Sequence, residues 1–169
     1  YRNVLSSDSR KNRDKALMKR LQIIDSTTIT LFSNLLFKGV GRYSKTGKKK
    51  GDIKVHTVIH ANKGVPSDIK FTSAATNDSF MLRPSALNKG DIITMDRAYI
   101  DYEKLETLTQ KEVSYVTKMK KNLKYKIIED YMYQTTEGLI EVRLQHVTFS
   151  KVLKDGAILI HHARIDYLC

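Results

Sequence analysis

The chain has 169 residues, 41% hydrophobic and 28% charged, which is enough apolar side chain for a sizeable core and excludes disorder as a whole-chain description. Lysine and arginine number 30 against 18 acidic residues, a formal net charge of +12 that favours a polyanionic partner. Cys169 is the single cysteine, so a disulfide framework and a cysteine zinc site are excluded, and no apolar run approaches the ~18 residues of a membrane span. With no signal peptide, Tyr1 at its start and Cys169 at its end, the chain reads as a piece of something longer.

Residues 1–20 are basic, with Asp8 placed to cap a helix that carries Ala16 and Leu17. The run Leu21-Gln22-Ile23-Ile24 then reads as a short buried strand ending on Asp25. From Lys38 to Lys54 the chain is rich in glycine and lysine, including Lys48, Lys49 and Lys50, and reads as a mobile basic loop. Alternation over Ile53–Ile59, the turn Asn62-Lys63-Gly64 and an extended run from Val65 to Phe71 predict a hairpin. Asn77-Asp78-Ser79 starts a short helix that Pro84 disturbs. Ile92-Ile93-Thr94-Met95 predicts a second strand ending on aspartate, at Asp96. A helix follows over 101–111, then a strand over 113–116, and β-prone segments fill the chain from Tyr125 onward.

Two apolar strands that each end on an aspartate are the chemically informative feature. On neighbouring strands such carboxylates come within a few ångströms of each other, where they either share a proton or hold a divalent cation. Two Mg²⁺ ions ~4 Å apart would clamp the attacking and leaving oxygens of a phosphoryl transfer. The plainer alternative is that both aspartates only cap turns.

Asp25-Ser26-Thr27-Thr28-Ile29, Gly51-Asp52-Ile53-Lys54-Val55-His56, Asp96-Arg97-Ala98-Tyr99 and the segment 116–124 follow one another in an order that resembles bacterial insertion-sequence transposases. The similarity is to the DDE group that carries a β-strand insertion and cuts DNA through hairpin ends. It implies an α/β, RNase H-like mixed sheet with flanking helices and the start of a β-rich insertion. The implied division is a basic segment over 1–19, the first part of a catalytic core over 20–125 and the insertion over 126–169.

Carried over by position, the resemblance makes Asp25 and Asp96 metal-binding catalytic acids for Mg²⁺, with Mn²⁺ as a substitute. It sets Arg97, Lys118, Lys120, Asn122, Lys54 and His56 toward DNA, together with Lys48, Lys49 and Lys50 of the basic loop. It also implies double-stranded transposon ends and target DNA as partners, a homodimer in the synaptic complex, and a cytoplasmic, nucleoid-associated bacterial protein with no membrane. Ala98 stands where the family frequently has glycine, and Asn77 where it often has histidine before Asp78.

The family's third acid is a glutamate on a helix with a Tyr-x-x-Arg-x-x-x-Glu pattern, and no such pattern is present; Glu103, Glu106, Glu129, Glu137 and Glu141 lack its surroundings. The expectation is therefore a partial catalytic domain that does not cut DNA alone; the alternative is a non-catalytic DNA-binding fragment or decayed copy. Plainer readings accompany single residues. His56 is a hydrogen-bonded or surface strand residue, the lysine run a solvated loop, most of the nine tyrosines core, and the adjacent His161 and His162 face opposite sides of a strand.

Overall fold

The structure is a computed structural model and describes residues 7–30, 42–43, 49–50, 52–120, 122–134 and 141–168. These divide into two units: one runs through Ile100 and resumes over Leu108–Lys118, and the other comprises Asp101–Thr107 and the chain from Met119.

In the first unit, helix α1 (Ser7–Arg20) ends on Lys19 and Arg20, where the negative end of the helix dipole favours cations. It leads directly into β1 (Leu21–Thr30). The expected hairpin is formed by β2 (Asp52–His60) and β3 (Pro66–Ser73), and Gly64 takes a φ of 64° in its turn, a conformation that a β-carbon would strain. With β4 (Ile92–Met95) and β5 (Ser114–Thr117) these strands make a five-stranded sheet in the order β3-β2-β1-β4-β5. β1 is the pivot of the topology, antiparallel to β2 and parallel to β4, while β4 and β5 are parallel. Parallel neighbours need a long crossover, which between β4 and β5 carries helix α2 (Tyr102–Gln110). The mixed α/β sheet with helices agrees with the expected RNase H-like architecture.

Two expectations are corrected. β1 does not stop at Asp25: Thr27, Thr28, Ile29 and Thr30 pair with Val55, Lys54, Ile53 and Asp52, because β-branched residues suit a pleated strand and β2 is long enough to receive them. Ile53 and Lys54, where the expected loop and the expected hairpin overlap, lie in the strand, and Asp52 joins them. Within that loop, Arg42–Tyr43 pairs with Lys49–Lys50 in a short ladder, and Lys48 lies outside the described residues.

Side chains alternate across a sheet, and the buried sheet residues Ile24, His56, Ile93 and Met95 all fall on one face. Ala74, Met81, Leu82, Leu87, Tyr99, Leu108 and Val113 complete the buried set of this unit among the described residues. Full burial of a leucine such as Leu82 contributes roughly 1.5–3 kcal/mol relative to exposure. Two short 3₁₀ turns, Asp78–Met81 and Pro84–Ala86, deliver the segment that supplies Met81 and Leu82.

The second unit is an antiparallel meander of β6 (Lys126–Gln134), β7 (Glu141–Val152) and β8 (Ile158–Leu168), with β7 in the middle. The first turns of α2 belong with it: Tyr102 stacks on Phe149 with ring centroids 5.4 Å apart, and Glu106 meets His161 at 2.8 Å. His161 is buried and His162 exposed, on opposite faces of the strand.

Candidate active site

The parallel register of β1 and β4 runs Leu21↔Ile92, Gln22↔Ile93, Ile23↔Thr94 and Ile24↔Met95. The next residue on each strand is an aspartate, so Asp25 and Asp96 stand level on adjacent chains whose backbones are about 4.8 Å apart. Asp25 thus marks the point where pairing with β4 ends, while β1 continues beside β2. Both side chains are exposed, on the face opposite Ile24 and Met95. Each has one oxygen fixed by a local backbone donor: the Ser26 amide donates to Asp25 Oδ1 at 2.8 Å, and the Ala98 amide donates to Asp96 Oδ1 at 2.9 Å. The second bond caps the 3₁₀ turn Arg97–Tyr99.

These are hard oxygen donors that suit Mg²⁺, which commonly takes one or two carboxylates and fills its remaining positions with water and phosphate oxygens. The pair fits two ligands of such an ion. Among the described residues no cluster of three or more His, Cys, Asp or Glu side chains has metal-binding geometry.

On the opposite face lies a polar cluster that the sequence does not announce. Asp78 Oδ1 lies 2.9 Å from Lys54 Nζ, 3.6 Å from His56 Nδ1 and 3.4 Å from the Ser26 hydroxyl, which donates to it. His56 Nε2 and the Thr72 hydroxyl form a 2.8 Å hydrogen bond, and Phe80 meets the imidazole edge to face at 4.9 Å. Asn77 accepts from the Ser79 amide at 3.1 Å and so caps the turn that presents Asp78. Burial pushes the His56 imidazole below its ordinary pKa; Asp78 opposes that and Lys54 adds to it. Tyr99 is wholly buried. Burial raises its phenol pKa, the neighbouring Ser26 hydroxyl opposes the rise, and the Asp78, Asp25 and Asp96 carboxylates add to it.

The expected DNA-facing residues divide. Arg97 and Lys118 are exposed in the first unit, and since Thr117 pairs with Met95, Lys118 stands level with Asp96 one strand further on. In the second unit Lys120 is half-buried and Asn122 exposed. His56 and Lys54 are corrected: His56 has no solvent exposure, and Lys54, 14% exposed, is tied to Asp78 and donates to the Thr76 carbonyl, so both turn inward. Lys49 and Lys50 pair through their backbones with Tyr43 and Arg42.

The described glutamates are engaged elsewhere. Glu103 pairs with Lys151, Glu106 with His161, Glu112 with Lys89 and Glu129 with His146, and Glu141 accepts from Gln134; Glu137 lies outside the described residues. Asp78 was legible only as a neighbour of Asn77. The signal that could have found it is the pair of polar residues, Lys54 and His56, on one face of a strand.

Residues 17–163 match the family described as the transposase DDE domain. The chain is 28% identical over 118 residues, 70% of its length, to a protein of Sinorhizobium fredii whose name marks it as a provisional transposase (y4zB), of which the match covers 32%. It is 24% identical over 121 residues, 71% of its length, to a probable transposase for insertion sequence element IS5377 of Geobacillus stearothermophilus, of which the match covers 30%. The chain thus spans about a third of the length of the curated relatives it matches. No solved structure matches it significantly. No described helix is long and apolar enough to cross a membrane. With a family match over most of its length, the chain belongs to the DDE-domain transposases.

Proposed function

We propose that the chain is part of the catalytic domain of an enzyme that cuts and joins DNA at the ends of an insertion sequence, with Asp25 and Asp96 as its first two metal-binding acids. The observation that carries this is the parallel register, which brings the two aspartates level on adjacent strands. One oxygen of each carboxylate is engaged by a backbone amide, and the other is left for a divalent cation. A bound Mg²⁺ pair, or Mn²⁺ in its place, would supply charge to the attacking and leaving oxygens of an in-line phosphoryl displacement.

Arg97, exposed in the turn directly after Asp96, would receive the phosphate beside the cleaved bond. Lys118, Lys120, Asn122 and Lys48 to Lys50 would grip the flanking backbone. Contacts of this kind position the duplex without reading its sequence. The active form would be a homodimer on paired transposon ends, working on nucleoid DNA in the cytoplasm. A second reading, a DNA-binding piece without turnover, is favoured by one observation: the described glutamates are paired elsewhere.

The test is a labelled duplex carrying the insertion-sequence end, incubated with Mg²⁺ or Mn²⁺. We expect the 169-residue chain to bind it without cutting, and a chain extended through a Tyr-x-x-Arg-x-x-x-Glu helix to cut. Cleavage by the short chain that disappears in Asp96→Ala would overturn the partial-domain reading. An extended chain whose cleavage survives Asp96→Ala would overturn the assignment of the acids.

A further inference from the structure

We infer that Asp78 is a positioning residue: held by Lys54 on the packed face of the sheet, it fixes the Asp25–Asp96 pair on the opposite face through the Ser26 hydroxyl and through the packing of its own turn on the turn that Asp96 caps. The inference rests on the reading of those two aspartates as the metal-binding acids and adds what holds them in place.

The connections run through two residues. Ser26 contributes two groups with different tasks: its amide donates to Asp25 Oδ1, and its hydroxyl, on the other face, donates to Asp78. Any shift of Ser26 therefore moves the donor that orients Asp25. Tyr99 closes the 3₁₀ turn whose cap is Asp96, its ring is wholly buried, and that turn packs against the Asp78–Met81 turn. Any shift of Tyr99 moves the turn whose Ala98 amide holds Asp96 Oδ1.

Asp78 thus stands behind both carboxylates. Its own place is set by the Asn77 cap and by Lys54 on the strand position opposite Thr28, with the buried His56 ring 3.6 Å away on the position opposite Ser26. His56 is in turn fixed by Thr72 on β3. Two strands and one turn converge on a single carboxylate. Partners one shell beyond a metal's ligands orient those ligands, and their loss typically weakens metal binding about 10–100-fold.

The experiment follows the side-chain carboxyl ¹³C resonances of Asp25 and Asp96 in the metal-free chain, then titrates Mn²⁺ alone. The variants are Asp78→Asn, which keeps the shape and loses the charge, and Ser26→Ala, which keeps every charge and cuts the link to β1. Asp68→Asn, whose partner Arg83 lies 2.7 Å away at another place in the same unit, is the control. Asp78→Asn is expected to displace both resonances and weaken Mn²⁺ binding by up to about tenfold, no more than the low end for a group bonded directly to a ligand. Ser26→Ala is expected to displace Asp25 more than Asp96, Asp78→Glu to recover part of the affinity, and Asp68→Asn to change neither.

Resonances that stay in place in both Asp78→Asn and Ser26→Ala would overturn the inference. So would equal displacement by Asp68→Asn, and if Asp78→Asn fails to fold, Ser26→Ala decides alone. Displaced resonances in a chain whose wild type takes up no Mn²⁺ would support the positioning role and refute the metal reading instead.

Discussion

Replacing Lys54 by methionine separates a structural lysine from a DNA-facing one. The Lys54–Asp78 pair is 2.9 Å long with both side chains 14% exposed, so Lys54→Met leaves a carboxylate largely out of water without its cation. Loss of one partner from a buried pair costs about 3–5 kcal/mol, mostly for the charge left behind. The His56 ring and the Ser26 hydroxyl near Asp78 replace part of the lost interaction, which favours the lower end. For a domain of this size each kcal/mol moves the melting temperature about 2–4 °C, so the variant should melt roughly 6–12 °C lower for a loss of about 3 kcal/mol. Adding Asp78→Asn removes the stranded charge, and the double variant should recover part of the loss. The assay is thermal and urea unfolding followed by circular dichroism, with duplex binding measured on the same samples. A Lys54→Met chain that melts within about 1 °C of wild type but binds DNA less tightly would refute this reasoning.

Three further outcomes are expected. Burial lowers the His56 pKa, so its neutral form is the folded form; the stability it contributes is present above about pH 6.5 and falls as pH drops below that, because the unfolded chain then takes up the proton first. His56→Gln should flatten that part of the stability–pH curve. Asp130 is held at a pKa of about 2 by hydrogen bonds from Arg143 and then Gln145. Its contribution is complete above its unfolded value of 3.8 and is lost as pH falls through about 2, which carboxyl NMR should resolve and Arg143→Met should reduce, leaving the part that Gln145 supplies. Neutralising Lys118 and Lys120 should weaken duplex binding alike for all sequences and lower the salt slope by about one unit for each phosphate left without its cation; an unchanged slope would remove both from the interface.

The sequence made Asp96 legible because an apolar run stops there and β4 stops with it. Asp25 was half legible. Its apolar run ends where pairing with β4 ends, but β1 goes on because β2 accepts it, and that partner is not written in the local sequence. The hairpin was readable from alternation and its glycine turn. Alternation could not show that the buried residue on β2 is His56, with Ile53 and Val55 on the more open face. What makes His56 acceptable inside is the hydrogen bond with Thr72, supplied by another strand. Nor could it show that Asp101–Thr107 groups with the three-stranded sheet, since Tyr102, Glu103 and Glu106 find Phe149, Lys151 and His161 only after folding.

The central claim is that Asp25 and Asp96 form one cation site. Its most direct test is Mn²⁺ binding by the chain, followed by electron paramagnetic resonance, in wild type, Asp25→Asn and Asp96→Asn. If the two aspartates share an ion, the wild type binds Mn²⁺ weakly, each single variant loses that binding, and the double variant behaves like either single one. Binding that persists in both single variants, or that is lost in only one of them, would contradict a shared site.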